Sequence, residues 1–287
     1  MGACTGLVAA GFAVLLVGCA GHKDTSVRAV TDPAAPIVGE SRMHRVTRGC
    51  DKGEADACND LGMILENGKE APKDSVRAVA IFDRGCVAGS GKACSNLAAM
   101  HAVGEGTRKD SGRALVFYTR GCDLGAMYAC NTLGNYYLSG RGVPQDERVA
   151  ATLFTRACDS GSHLGCANLG ALKQTGLGVP KDMERAAALY GSACDGGEAL
   201  GCTLLGSMFL SGTGVEKDEP RAASLYTKAC DAGGGTGCYV LGLMCSRGVG
   251  VEKDSARAAS LFRRACDGGE KDGCVELAAM KRRDGGD

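Results

Sequence analysis

The sequence predicts an all-α protein: an α-solenoid superhelix of 36-residue helix-turn-helix repeats, with six full units between half-unit caps. Three observations predict it. Cysteines stand at Cys50, Cys86, Cys122, Cys158, Cys194, Cys230 and Cys266, and again at Cys58, Cys94, Cys130, Cys166, Cys202, Cys238 and Cys274; each series steps by 36, so 14 of the 17 cysteines are periodic. Within the period, apolar residues recur three and four apart, as on amphipathic helices. The 45 glycines fall at set places in the period, as turns and close helix approaches require.

In chain order, a half-unit cap resembling a second helix (helix B) is expected near 39–50. A first helix (helix A) then opens at each second cysteine and carries leucine three residues on, at Leu61, Leu97, Leu133, Leu169, Leu205, Leu241 and Leu277, followed by Gly or Ala. The small residue is expected to let helices approach closely. A breaker-rich loop follows, typified by "TGLGVPKD" at 175–182. Asp74, Asp110, Asp146, Asp182, Asp218 and Asp254 close the loops where a helix N-cap belongs, since a carboxylate can accept from the exposed N–H groups of the next turn. Helix B then presents Ala78, Ala114, Ala150, Ala186, Ala222 and Ala258. Four residues beyond each comes an aromatic: Phe82, Tyr118, Phe154, Tyr190, Tyr226 and Phe262. Rings in register along a solenoid are expected to be core rungs. A glycine-bearing link joins each B helix to the next A helix. The last A helix is expected near 272–283, and the polar "KRRDGGD" tail suits a solenoid end.

The pattern Cys130-x-x-Leu133-Gly134-x-x-Tyr137 with Ala150-x-x-x-Phe154 resembles the tetratricopeptide repeat, with cysteine in place of tryptophan. The "G-x-G-V-x-K-D-x-x-x-A" loop and the 36-residue period resemble the Sel-one-like subclass, and the added cysteine pair resembles its cysteine-rich branch, typified by the Helicobacter cysteine-rich proteins. The resemblance covers about 46–280. It implies β-lactam binding with weak β-lactamase activity as an alternative function, and leaves open whether the chain is an enzyme.

Residues 6–19, "GLVAAGFAVLLVGC", resemble the apolar region of a secretory signal, and Leu16-Val17-Gly18-Cys19 resembles a lipobox. The expected organisation is a signal peptide over 1–18, a lipid-anchored flexible linker over 19–38 containing Pro33 and Pro36, and the solenoid over 39–287. The expected place is the periplasm or outer membrane, anchored at Cys19, with plain secretion as the alternative. Either route gives an oxidising compartment, where each periodic cysteine of helix B can pair with the one eight residues on, from Cys50–Cys58 to Cys266–Cys274. Cys4 falls in the leader. Cys245 occupies a position filled elsewhere by Leu65, His101, Tyr137, Lys173 and Phe209, and is expected to be a partly exposed free thiol.

Positive and negative side chains balance at 33 each, which gives no basic field for nucleic acid. Structural zinc wants four ligands, whereas each junction holds two cysteines and His22, His44, His101 and His163 do not recur. No metal and no cofactor are expected. Ser-x-x-Lys, Lys-Thr-Gly, G-x-S-x-G, H-E-x-x-H and the P-loop pattern are absent from the sequence. The A-helix face, expected to be concave, varies most between units, at Asn131, Asn135, Leu138, Gln174, Thr203, Ser207, Tyr239 and Leu243. Such variation suits either a shaped binding surface or a neutral solvent face. The expected function is an envelope interaction scaffold, acting as a monomer and binding a protein, a peptide or peptidoglycan-derived ligands there.

Overall fold

The structure, a computed structural model, describes residues 41–284. The signal peptide expected at 1–18, Cys19, the linker at 19–38 and the first residues of the cap lie outside them. The described residues form fourteen helices: α1 (Arg42–Asp51), α2 (Ala55–Asn67), α3 (Ser75–Val87), α4 (Gly91–Val103), α5 (Ser111–Asp123), α6 (Met127–Ser139), α7 (Glu147–Asp159), α8 (His163–Thr175), α9 (Met183–Asp195), α10 (Ala199–Ser211), α11 (Glu219–Asp231), α12 (Gly235–Arg247), α13 (Ser255–Asp267) and α14 (Lys271–Asp284). Even-numbered helices are the A helices. From α2 to α13 they make six A–B pairs, with α1 and α14 as the half-units. Each helix packs on its chain neighbours, and successive A helices touch throughout the array.

Local chemistry sets each boundary. All six loop aspartates cap as expected: Asp182 Oδ1 accepts the Arg185 N–H at 2.8 Å, and Asp74, Asp110, Asp146, Asp218 and Asp254 do the same at 2.8–3.0 Å. The Arg113 N–H holds the Asp110 carboxyl below the usual carboxylate range. Each capping residue also donates its own N–H back to helix A, as Asp182 does to the Lys173 carbonyl at 2.8 Å, so one residue closes the loop at both ends.

The B-to-A links share one hydrogen-bond pattern. At the first, Gly53 donates to the Cys50 carbonyl at 2.9 Å and Glu54 to the Gly49 carbonyl at 3.0 Å, which is the Schellman closure. It requires a left-handed residue, supplied by Gly53, Gly89, Gly125, Gly161, Gly197, Gly233 and Gly269, with φ from 82° to 101°. The reversal sets the cysteines on either side against each other. All seven expected pairs are disulfides, from Cys50–Cys58 to Cys266–Cys274, with Cα atoms 4.4–4.6 Å apart, at the short end of the usual range.

Phe82, Tyr118, Phe154, Tyr190, Tyr226 and Phe262 are buried to 3% exposure or less, and the alanines one turn before them are fully buried. Each ring lies on the small residue of its own A helix: a Cβ on Gly62 would meet Phe82 Cε1 at 2.5 Å, and one on Gly170 would meet Tyr190 Cε1 at 2.7 Å. The small residue therefore admits an aromatic ring rather than a second backbone. Burying such a side chain contributes roughly 1.5–3 kcal/mol, so the rungs carry much of each unit's stability.

Candidate functional site

The varied A-helix positions do not all reach the surface. Asn131 is buried, and its Oδ1 accepts from Asn168 Nδ2 on the next A helix at 2.7 Å. The same bond joins Asn96 Nδ2 to Asn59 Oδ1 at 2.8 Å, tying α2 to α4. Asn131 therefore serves contact between units and presents no amide to a ligand. Gln174 Oε1 accepts the Tyr190 hydroxyl at 2.8 Å, which satisfies a phenol whose burial pushes it up to about 12. Burial pushes the Tyr226 phenol up, and the Ser207 side chain offsets part of that rise. Thr203 donates to the Ala199 carbonyl at 2.8 Å. Tyr239 lies half-buried with its ring 6.1 Å from Phe262; burial, then Asp272 and Glu276, push its phenol up. Asn135 and Ser207 are exposed and Leu138 and Leu243 are half-buried, so these four, with the outer part of Tyr239, are what the row offers a partner.

A groove of about 570 Å³ opens along this row toward the N-terminal ends of α4 and α6. Asn59, Met63 and Asn96 line it on one side, and Leu124, Met127 and Tyr128 on the other. Ser90, the N-cap of α4, lies in its wall, accepting the Ala93 N–H at 3.3 Å and donating to Asp56 Oδ1 at 2.7 Å. Ser95, buried to 4%, also lines it, and its hydroxyl has no hydrogen-bond partner.

A second array runs along the junctions. Arg84 reaches Asp51 at 3.5 Å, Arg156 reaches Asp123 at 3.2 Å, Lys228 reaches Asp195 at 3.5 Å and Arg264 reaches Asp231 at 3.0 Å, each tying one B helix to the end of the previous one. Sequence reasoning passed over both this ladder and the asparagine pairs. Their signal was present as spacings of 33 and 37 residues, one period less three and one period plus one.

Cys245 is free, as expected, but fully buried, which corrects the partly exposed site expected for it; burial pushes its thiol up. His101, at the equivalent place, is buried and stacks on Phe117 with ring centroids 5.5 Å apart. Leu65 and Phe209 are buried there as well, while Tyr137 and Lys173 are half-buried, so in four of the six units the variety reflects different ways of filling an inward pocket. Among the described residues no His, Cys, Asp and Glu side chains group as a metal site, and no helix is long and apolar enough to cross a membrane.

A family model described as Sel1 repeat matches residues 55–90, 91–125, 128–162, 163–198, 199–234 and 236–270. Among solved structures, a protective antigen of uropathogenic Escherichia coli strains displaying an SLR fold is 27% identical over 85% of this chain and 52% of its own, with a TM-score of 0.71. The chain thus spans about half the length of that protein. A Sel1 repeat protein from Oxalobacter formigenes, 23% identical over 78% of this chain and 99% of its own, has the same fold with a TM-score of 0.71. Helicobacter pylori cysteine rich protein B is 31% identical over 48% of this chain and 99% of its own, with a TM-score of 0.39. Comparison with curated proteins gives no match.

Proposed function

Because the chain belongs to the Sel1 repeat family, we propose that it is an exported interaction scaffold of a bacterial envelope, binding a protein or peptide partner along the row of A helices. The observation that carries this reading is the row itself. Successive A helices touch, which makes their outer surfaces continuous, and Asn135, Leu138, Tyr239 and Leu243 stand on it with groups to spare for a ligand. Gln174 lines the same row with its amide oxygen bound to the Tyr190 hydroxyl, Thr203 bonds the Ala199 carbonyl of its own helix, and Ser207 is exposed; peptidoglycan-derived ligands are a further candidate class for it.

Seven disulfides suggest a protein that folds outside the reducing cytosol. In this reading residues 1–18 are removed on export, Cys19 takes a lipid, 19–38 tether the chain, and 39–287 form the working solenoid, acting as a monomer. Membrane retention of a Cys19→Ser variant would count against the anchor; its release into the soluble fraction is the expected result. The site geometry offers no observation that favours β-lactam hydrolysis as a second reading.

The deciding experiment places a photo-crosslinking amino acid at Asn135, with Glu184 on the exposed side of α9 as the control. Adducts with one envelope protein or peptide from position 135 and none from 184 are expected. Equal yields from the two positions, or none from either, would reject the A-helix row as the binding surface.

A further inference from the structure

The units serve as controls for one another, and two successive junctions, α3–α4 and α5–α6, depart from the rest. The residue after the first cysteine is Asp51, Asp123, Asp159, Asp195, Asp231 or Asp267 at six junctions and Val87 at the other. The residue one period after Ala88 is Leu124, where other links carry Lys52, Ser160, Gly196, Ala232 and Gly268. The next A helix opens with Met127 and Tyr128, whereas no other A helix starts with two large apolar residues. All four side chains face solvent: Val87 is 66% exposed, Leu124 44%, Met127 39% and Tyr128 60%. Leu124, Met127 and Tyr128 line the groove described above together with the link that follows Val87. Exposed apolar side chains gathered at one groove, as Leu124, Met127 and Tyr128 are, mark interaction sites on soluble proteins.

The charge beside it is unbalanced. Arg120 occupies the basic rung of the ladder, but valine replaces its carboxylate, so its Nη2 meets only the Val87 carbonyl, at 3.4 Å. The nearest acid of the ladder, Asp123, is held by Arg156. At the groove itself Lys92 is exposed and Asp56 supplies a carboxylate that accepts from Ser90 at 2.7 Å, so the positive charge left without an acid is that of Arg120. An arginine offers a planar fork that a carboxylate matches with two hydrogen bonds, and Tyr and Arg beside apolar cover are the usual anchors of an interface.

We propose that this edge, formed by Val87, Arg120, Leu124, Met127 and Tyr128, is a docking surface for a partner segment that carries a carboxylate beside an aliphatic or aromatic side chain. The inference rests on the scaffold reading above and gives it a partner chemistry. Of the six places where the ladder could form a pair, two lack one: Ser192 stands where a base would face Asp159, and Val87 where an acid would face Arg120, so only Arg120 is a base left without its acid. The partner's carboxylate supplies that acid while its apolar neighbour covers the patch. A second copy docking by two-fold symmetry is disfavoured, because the same patch would face itself and bring two Arg120 side chains into one interface while the patch itself offers no carboxylate to either.

The test is selection of random twelve-residue displayed peptides on the oxidised full chain. Enriched peptides are expected to share an Asp or Glu next to Leu, Ile, Met, Phe or Tyr. Their binding should weaken by about tenfold or more in V87D, R120Q and L124S and stay unchanged in N135A. V87D gives Arg120 the carboxylate that the array uses elsewhere, so its thermal stability should match or exceed that of the parent, which separates lost docking from lost folding. Peptides without a carboxylate, or peptides that bind V87D as well as the parent, overturn the proposal. Binders lost only in N135A would also overturn it while leaving the scaffold reading intact, and a library with no enrichment would count against both.

Discussion

Cys245 and Asn131 show how a residue's partners decide its role. Both positions vary between units, and variation on a helix reads as exposure when only the sequence is in view. Asn131 instead bonds Asn168, 37 residues away, and Cys245 fills an inward pocket shared by position with His101 and Phe209. The aspartate caps were legible because their partners lie three residues on; the asparagine pairs were not, because the register between units exists only after folding. Burial and a raised thiol predict that iodoacetamide labels Cys245 slowly in the native oxidised protein and rapidly after denaturation without reductant. Fast native labelling at Cys245, read by peptide mass, would contradict its placement. Tyr190 gives a second prediction at this scale. Its folded value of about 12 lies above the ordinary phenol value of about 10, so the folded state holds its proton where the unfolded state has released it. The corresponding stability is complete below the unfolded value and is lost as pH rises through the window between the two. Tyr118, raised by burial and by Tyr128 and Tyr136, adds in the same direction. The urea midpoint should therefore fall from pH 9 to pH 11, and equal midpoints would show that the two phenols are not buried.

At the scale of the helix and its turns, three glycines of one unit predict three different costs. Gly197 has φ +84° and nothing within 4 Å of an added Cβ, so Gly197→Ala should cost about 1 kcal/mol from backbone conformation alone. Gly178 also has positive φ, but its Cβ would lie 2.2 Å from the Glu147 carbonyl oxygen of the previous unit, so Gly178→Ala should be the most damaging of the three. In Gly170→Ala the Tyr190 ring must retreat, and the array already contains that arrangement, since Ala98 lies in the same place in α4 while Tyr118 remains buried. Its cost should be the smallest, partly offset by alanine's better helix propensity. Thermal unfolding of the three variants checks the order; a Gly170→Ala loss larger than that of Gly178→Ala would reverse the argument. The glycines' positions were plain in the period, but their separate purposes were not, because a clash with a neighbouring unit is a property of stacking.

Across the whole array, period, pairing and helix order were all readable because each unit repeats the same local solution, and independent copies of one pattern constrain its meaning far more than one copy could. The two departing junctions, α3–α4 and α5–α6, gain their significance the same way. Removing one central bridge with Cys194→Ala and Cys202→Ala should cost roughly 2–3 kcal/mol from the freed unfolded chain. Because units contact mainly their neighbours, it should also split one calorimetric transition into two; a single transition with an unchanged midpoint would deny the bridge a structural role. The bridges have a mechanical consequence as well. Each closes a short ring around a link, so a chain pulled from its ends bypasses those residues while force runs through sulfur. Of the 36 residues in a period, the 8-residue step between paired cysteines cannot extend, leaving 28. Each unit that yields to force should then lengthen the chain by no more than about 100 Å at full extension, and chemical reduction should lengthen that step.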